Sequence, residues 1–146
     1  MSFKQVFGRF LIVTFVFISG VDKFINTQKE AEKLTDEIKS LYTYYQDHGY
    51  IFPISIPFIE THSNQIVLLE GVALITGCLL FFLNYKPGRY IISFMFLMCN
   101  LIDHNIHLYS GNELRIHIQL SLLNFFIVAA TMMAGSKPLV KSIKID

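Results

Sequence analysis

Three stretches of this chain, residues 66–83, 90–109 and 115–134, are almost continuously apolar. Each approaches the roughly 20 residues that carry a helix across a bilayer at about 1.5 Å per residue. A fourth, 6–20, is shorter, but it reaches span length once 21–25 join it and Arg9 and Lys23 snorkel to the two interfaces. The expected fold is therefore an all-α integral membrane protein. Its four transmembrane helices, at about 6–25, 64–83, 90–109 and 114–134, form one antiparallel bundle and a single domain over residues 1–146. Composition agrees: 53% of the residues are hydrophobic and 16% are charged, against about 25% charged in an ordinary soluble domain. Lys4 and Arg9 ahead of an apolar core give helix 1 the look of a signal peptide, but no small-x-small cleavage site follows, so a retained helix is expected.

The only long polar segment is the 26–63 loop between helices 1 and 2. Over 27–45, Ala31, Leu34, Ile38, Leu41 and Tyr45 recur at steps of three and four, while Lys29, Glu32, Lys33 and Asp36 fill the opposite face. That pattern predicts an amphipathic loop helix. "GYIFPISIPF" then sets two prolines among aromatics, which predicts an extended strap in the headgroup layer. The remaining joins are short: 84–89 contains Pro87-Gly88, and 110–112 contains Gly111 as a helix stop. No internal repeat is present.

An even number of spans puts both termini on one side. That side carries Lys4, Arg9, Lys86, Arg89, Lys137, Lys141 and Lys144 against a single acid, Asp146. Opposite lie Lys23, Lys29, Lys33, Lys39 and Arg115 with every other acid and all five histidines. The positive-inside rule then predicts cytosolic termini, or matrix termini in a mitochondrion. No address motif chooses among the endoplasmic reticulum, the inner mitochondrial membrane and a bacterial plasma membrane.

Each helix has one polar stripe. Asn100, Asp103 and His107 step along helix 3, and His117, Ser121 and Asn124 along helix 4; Ser63, Glu70 and Gly77 sit two turns apart on helix 2. A carboxylate facing lipid near the bilayer centre costs about 2.5–3.5 kcal/mol. Glu70 and Asp103 are therefore expected to point inward, satisfied by Asn100, Asn124, a histidine or each other. Glu70, Asn100, Asp103, His107, His117 and Asn124 form a candidate polar pocket toward the non-cytosolic end. Interhelical hydrogen-bonding glue ranks first as its role, at about 0.6 kcal/mol per contact. A ligand pocket ranks second, and a metal or haem site third, because His104 and His107 sit near the rim.

Other chemistry is poorly represented. There is no C-x-x-C, no glycine-rich phosphate loop, no G-x-S-x-G and no H-E-x-x-H. Cys78 and Cys99 fall at similar depth on helices 2 and 3 and read first as packing residues, with a redox pair as the outside reading. A net charge of +1 gives no reason to expect nucleic acid.

With these residues laid out, "FGRFLIVTFVFISGVDKF" and "LLEGVALITGCLLFF" resemble the first two helices of the DoxX-like membrane proteins. "MSFKQVFGRFLIVTFVFIS", "NLIDHNIHLY" and "QLSLLNFFIVAATMMAG" are similar to the HR-like lesion-inducing branch of that superfamily. The resemblance covers most of the chain. It implies a four-helix membrane protein, within a superfamily that includes subunits of quinone-linked sulfur oxidoreductases, membrane partners of redox enzymes and cargo receptors. Arg9, Ser19, Gly20, Lys23, Glu70, Gly71, Gly77, Asp103 and Asn124 fall on the family-like pattern; the histidines do not.

Two function classes are expected. The first is a non-enzymatic accessory subunit or adaptor, working with the bilayer and with membrane-protein partners or a second copy, and using the loop helix for contact. The alternative is an oxidoreductase component that holds a quinone or a thiol substrate in the pocket. No cofactor or metal is expected beyond that quinone, and the adaptor reading is preferred because the sequence offers no paired dithiol.

Overall fold

The computed structural model describes residues 3–102 and 109–134. They form five α-helices: α1 (Phe3–Ile25), α2 (Thr27–Asp47), α3 (Ile56–Phe82), α4 (Lys86–Ile102) and α5 (Gly111–Ala134), with no strand among the described residues. α3 is the centre of the molecule, because α1, α2 and α4 all pack on it, while α5 lies against α4 and α1.

Two helices, α3 and α5, are long and apolar enough to cross a membrane; the number becomes three if α1 and α2 count as one bent span. α1 is interrupted by Arg9, Asp22 and Lys23, and α4 has 17 described residues. Large apolar side chains crowd the outside of the bundle: Phe10, Ile18, Leu69, Phe94, Leu122 and Phe126 are all more than half exposed. On α5 only Thr131 is buried. Apolar exposure on this scale suits a chain surrounded by lipid and not one surrounded by water.

α1 passes into α2 through a 94° bend at Asn26. The Thr27 hydroxyl donates to the carbonyls of Lys23 (2.7 Å) and Phe24 (3.0 Å), and the Asn26 amide donates to Asp22 Oδ1 (2.6 Å). Local side chains thus satisfy the end of α1 and release the chain in a new direction. α2 is the expected amphipathic helix, but its stripe is already occupied. Ala31, Ile38 and Leu41 are buried, and the seam with α3 is pinned by Lys39 Nζ to Glu60 at 2.6 Å. The Glu60 carboxylate, as hydrogen-bond acceptor and charge, holds the Lys39 ammonium above its ordinary pKa. The apolar face, expected to lie against the membrane or a partner, packs on α3. Ile38→Lys should therefore free α2 from α3, costing about 2–4 kcal/mol for a charge buried without a partner. Faster amide exchange confined to α2 and the start of α3 would report the release; unchanged exchange there would show the seam to be unimportant.

The expected strap is shorter than its motif. α3 begins at Ile56, not at 64, with Pro57 in its first turn, where the missing N–H is harmless. Ile59 and Ser63 are buried in this extra length, because α2 gives an apolar face for it to bury. α2 and α3 both end in Schellman turns: Tyr50 N donates to Tyr45 O (2.9 Å) past Gly49, and Tyr85 N to Leu80 O (2.8 Å) past Asn84. Gly49 (φ +75°) and Asn84 (φ +63°) supply the left-handed residue that such turns need. The second turn is so tight that α4 starts at Lys86, four residues before the expected 90. Gly111, expected as a stop, is the first residue of α5, at φ +60°.

The core lies where α1, α3 and α4 converge: Val16, Leu74, Cys78, Phe81, Ile92 and Phe96, flanked by Ile127 and Val128 of α5. Arg9 was expected to snorkel to the interface. It is buried instead, its guanidinium donating to the Ala134 carbonyl from Nε (3.0 Å) and Nη2 (2.5 Å), with its carbon 5.7 Å from the centre of the Phe81 ring. A cation at the carbonyl end of α5 is favoured by the helix dipole.

Candidate functional site

The polar centre of the bundle is built from one side chain on each of four helices. Lys23 comes from the last turn of α1, Glu30 from the first turn of α2, Glu70 from the middle of α3 and Cys99 from the end of α4. Lys23 Nζ lies 2.9 Å from Glu30 Oε2 and 3.3 Å from Glu70 Oε2, and the Cys99 thiol donates to Glu70 Oε1 at 3.2 Å. The side chains of Lys23, Glu30 and Glu70 are 16, 19 and 15% exposed. Lys23 turns inward because two carboxylates meet it there, each offering a charge-assisted bond in a setting poor in water.

Two glycines bring the partners within reach. A Cβ on Gly71 would stand 3.1 Å from the Gly20 carbonyl oxygen and 3.1 Å from Lys23 Cβ; one on Gly20 would stand 3.3 Å from the Gly71 carbonyl oxygen. The α1 and α3 backbones thus cross at glycine, one turn from the ion pair. Gly77 and Gly88 do the same for α3 and α4, since a Cβ on Gly88 would fall against the Phe81 amide nitrogen and 2.7 Å from the Gly77 carbonyl oxygen.

A second polar contact joins α4 to α5. Asn124 Nδ2 donates to Asn100 Oδ1 (3.0 Å), and Asn100 Nδ2 reaches the Ser121 carbonyl at 3.4 Å. A cavity of about 220 Å³ connects this pair with the first cluster, bordered by Ser19, Asp22, Lys23, Glu70, Cys99 and Asn124. The Ser19 hydroxyl itself donates within its own helix, to Phe15 O at 3.1 Å. Of the six expected pocket residues, Glu70, Asn100 and Asn124 therefore converge. His117 is stacked on Tyr109, with ring centres 3.5 Å apart and planes 9° off parallel. Asp103, His104 and His107 lie outside the described residues.

One expectation changes. Glu70 is satisfied by Lys23 and Cys99, and not by Asn100 or Asn124, which pair with each other. Lys23 and Glu30 were not expected as pocket residues, although their spacing of seven carried a signal. In an unbroken helix that spacing would share one face; here the 94° bend between α1 and α2 brings the two together instead. Neither cysteine is in a disulfide, and each is engaged separately: Cys78 donates to Val13 O (3.1 Å), Cys99 to Glu70.

No protein-family model matches the chain, and neither do curated proteins or solved structures.

Beside the charged cluster lies a mostly apolar cavity of about 280 Å³. α3 forms its floor through Ile66, Val67, Leu69 and Ala73, α4 one wall through Met95, Met98 and Ile102, and α2 the other through Leu34 and the Lys33–Glu37 pair. Leu69 is 69% exposed, so the cavity has an open lip on the outside of α3. Apolar walls with a few converging polar groups are what small-molecule sites generally have. Among the described residues no group of three or more His, Cys, Asp or Glu side chains is arranged to hold a metal ion. The arrangement can bind and orient a polar end and shelter an apolar one.

Proposed function

We propose that this chain is a four-span membrane protein, with both termini cytosolic, that serves as a non-enzymatic accessory subunit and holds a small amphiphilic molecule beside Lys23 and Glu70. The observation that carries this reading is the cluster of one side chain from each of four helices at the end of an apolar cavity. A protein needing only glue between helices satisfies its polar groups and closes the space around them. Here satisfied groups border open volume. The four-span arrangement draws on the apolar exposure of α1 and α4, which resembles that of α3 and α5, and on the charge asymmetry of the loops. The likeness to DoxX-like and lesion-inducing proteins points the same way, since six of the nine residues on that pattern, Arg9, Gly20, Lys23, Glu70, Gly71 and Gly77, lie at contacts between helices.

Purification from native membranes in a mild detergent, followed by native mass spectrometry, tests the reading. A small organic molecule bound at one per chain is expected, and it should be lost from Glu70→Gln protein of unchanged thermal stability. Ligand-free protein with an unaltered melting temperature on Glu70→Gln would reduce the cluster to glue. The second reading, an oxidoreductase component holding a quinone or thiol, is favoured by the thiol of Cys99 on the Glu70 carboxylate; a stoichiometric chromophore in the optical spectrum would select it. For topology, cysteine introduced at Ser40 should react with an impermeant reagent from outside intact cells, and cysteine at Ser142 only after lysis. Reversed labelling would overturn the orientation.

A further inference from the structure

The seam between α2 and α3, centred on Ala31 and Ile38, has two flanks: Glu30, Leu34 and Glu37 border the apolar cavity, and Glu32, Thr35 and Asp36 border a groove of about 490 Å³ on the other side. The groove has a different character. Glu60, Ser63 and Asn64 of α3 form its second bank, and Ala31 is the one apolar residue in its lining. It holds three carboxylates and no cation. Glu60 is met by Lys39 at 2.6 Å, and Glu32 accepts from Gln28 at 3.3 Å. The Asp36 carboxylate has no hydrogen bond or ion-pair contact among the described residues, since Ser40 engages only its backbone carbonyl.

Exposed acids in a row are common, and Ser63 sets this row apart. It is 8% exposed and lines the groove, yet its hydroxyl makes no hydrogen bond among the described residues, whereas the hydroxyls of Thr35 and Thr61 return to carbonyls four residues back. A nearly buried hydroxyl without a partner costs stability. It is offset if something outside the chain uses it. The acids themselves do not converge: no group of three His, Cys, Asp or Glu among the described residues is arranged to hold a metal ion. Carboxylates spread along two helices suit a cation whose donors are spread as well. Guanidinium presents five N–H donors in one rigid plane and no acceptor; an ammonium presents three on one atom.

We propose that the groove docks an arginine-bearing segment of a partner protein, with guanidinium groups on the Ser63 hydroxyl and on the carboxylates of Glu32 and Asp36. The apolar stripe of α2 is spent on α3, so this acidic flank is a face that α2 still presents. Glu60, Ser63 and Asn64 precede the apolar run that begins at Ile66, which places the groove in the aqueous layer, where a peptide can reach it. Exposed carboxylates hold a single small cation weakly, and several arginines on one chain add their contacts. The proposal needs no ligand in the apolar cavity.

The full chain in phosphatidylcholine nanodiscs is titrated calorimetrically with acetylated tetra-arginine amide, with the corresponding lysine peptide and with agmatine, empty discs serving as the blank. Tetra-arginine is expected to bind about tenfold or more tighter than tetra-lysine and than agmatine. Glu32→Gln/Asp36→Asn should weaken it about fivefold or more, the worth of two exposed pairs. Asp47→Asn/Glu113→Gln removes two exposed acids that do not border the groove and should change affinity less than about twofold. Ser63→Ala should weaken the peptide about threefold or more without lowering the melting temperature of the peptide-free protein. Reduced stability with unchanged affinity would make Ser63 structural and overturn the site. Equal affinity for tetra-lysine would overturn the guanidinium, and agmatine matching tetra-arginine would make the groove a small-molecule site and overturn docking. Equal losses from the groove pair and the control pair would reduce the effect to general attraction and overturn it too. Binding by none of the probes would overturn the proposal and leave the amphiphile reading, tested by native mass spectrometry, untouched.

Discussion

Lys23→Leu is expected to be among the most damaging single substitutions in the chain. It leaves Glu30 and Glu70 facing one another with no cation between them, and both side chains are more than four-fifths buried. Breaking a buried pair from one side typically costs about 3–5 kcal/mol, and the residual exposure here lowers that to about 2–4. Glu70→Leu should cost less, about 1–3 kcal/mol, because Lys23 keeps Glu30 and only the Cys99 thiol loses its acceptor. The double variant Lys23→Leu/Glu70→Leu should recover much of the loss, since it removes both buried charges of the α1–α3 contact. Glu70→Gln should fold nearly like the parent, because its single amide oxygen can go on accepting from Lys23 while its NH2 turns to the Cys99 sulfur, a weak acceptor. Thermal unfolding of the four proteins in one detergent measures the cycle. Additive losses from the two leucine substitutions would mean that Lys23 and Glu70 do not act as a pair.

Gly88→Val should be worse still, for a reason of volume and not of charge. The new Cβ would meet the Phe81 amide nitrogen, the Gly77 carbonyl oxygen and the Leu80 carbonyl carbon, all backbone atoms that no rotamer change can move. Separating α3 from α4 would pull Ile92 and Phe96 away from Leu74 and Phe81, so the core opens with the turn. A loss of at least about 3 kcal/mol is expected, at the upper end for overpacking. Gly8→Ala is the control: nothing lies within 4 Å of its added Cβ, so stability should be unchanged. The measurement is the yield of monodisperse protein together with its melting temperature. Wild-type behaviour of Gly88→Val would mean that α3 and α4 do not approach at this glycine.

What the sequence settled by itself was the all-helical class and the place of the amphipathic helix. The amphipathic stripe of 27–45 predicted a helix there, and Thr27–Asp47 is one, because apolar residues at steps of three and four have only one regular way to share a face. The apolar runs determined helices for the same reason. A polar stripe on each helix led to the expectation that Glu70 and Asp103 point inward, since lipid would offer them no partner; Glu70 meets Lys23 and Cys99, and Asp103 lies outside the described residues.

Only the tertiary structure decided which groups meet. Lys23 and Arg9 read as snorkelling residues, because a lone cation near the end of an apolar run has water within reach. Both turn inward because the fold offers something better: two carboxylates for Lys23, and the carbonyl end of α5, 125 residues away, for Arg9. The stripe of α2 looked free for a partner because nothing local reveals that α3 begins at Ile56 and supplies the matching face. Helix pairing depends on where two backbones approach closely enough to touch, and here that is at Gly20 with Gly71 and at Gly77 with Gly88. Periodicity gives each helix its inner face; the crossing points, and so the partners of every buried charge, arise only when the helices pack.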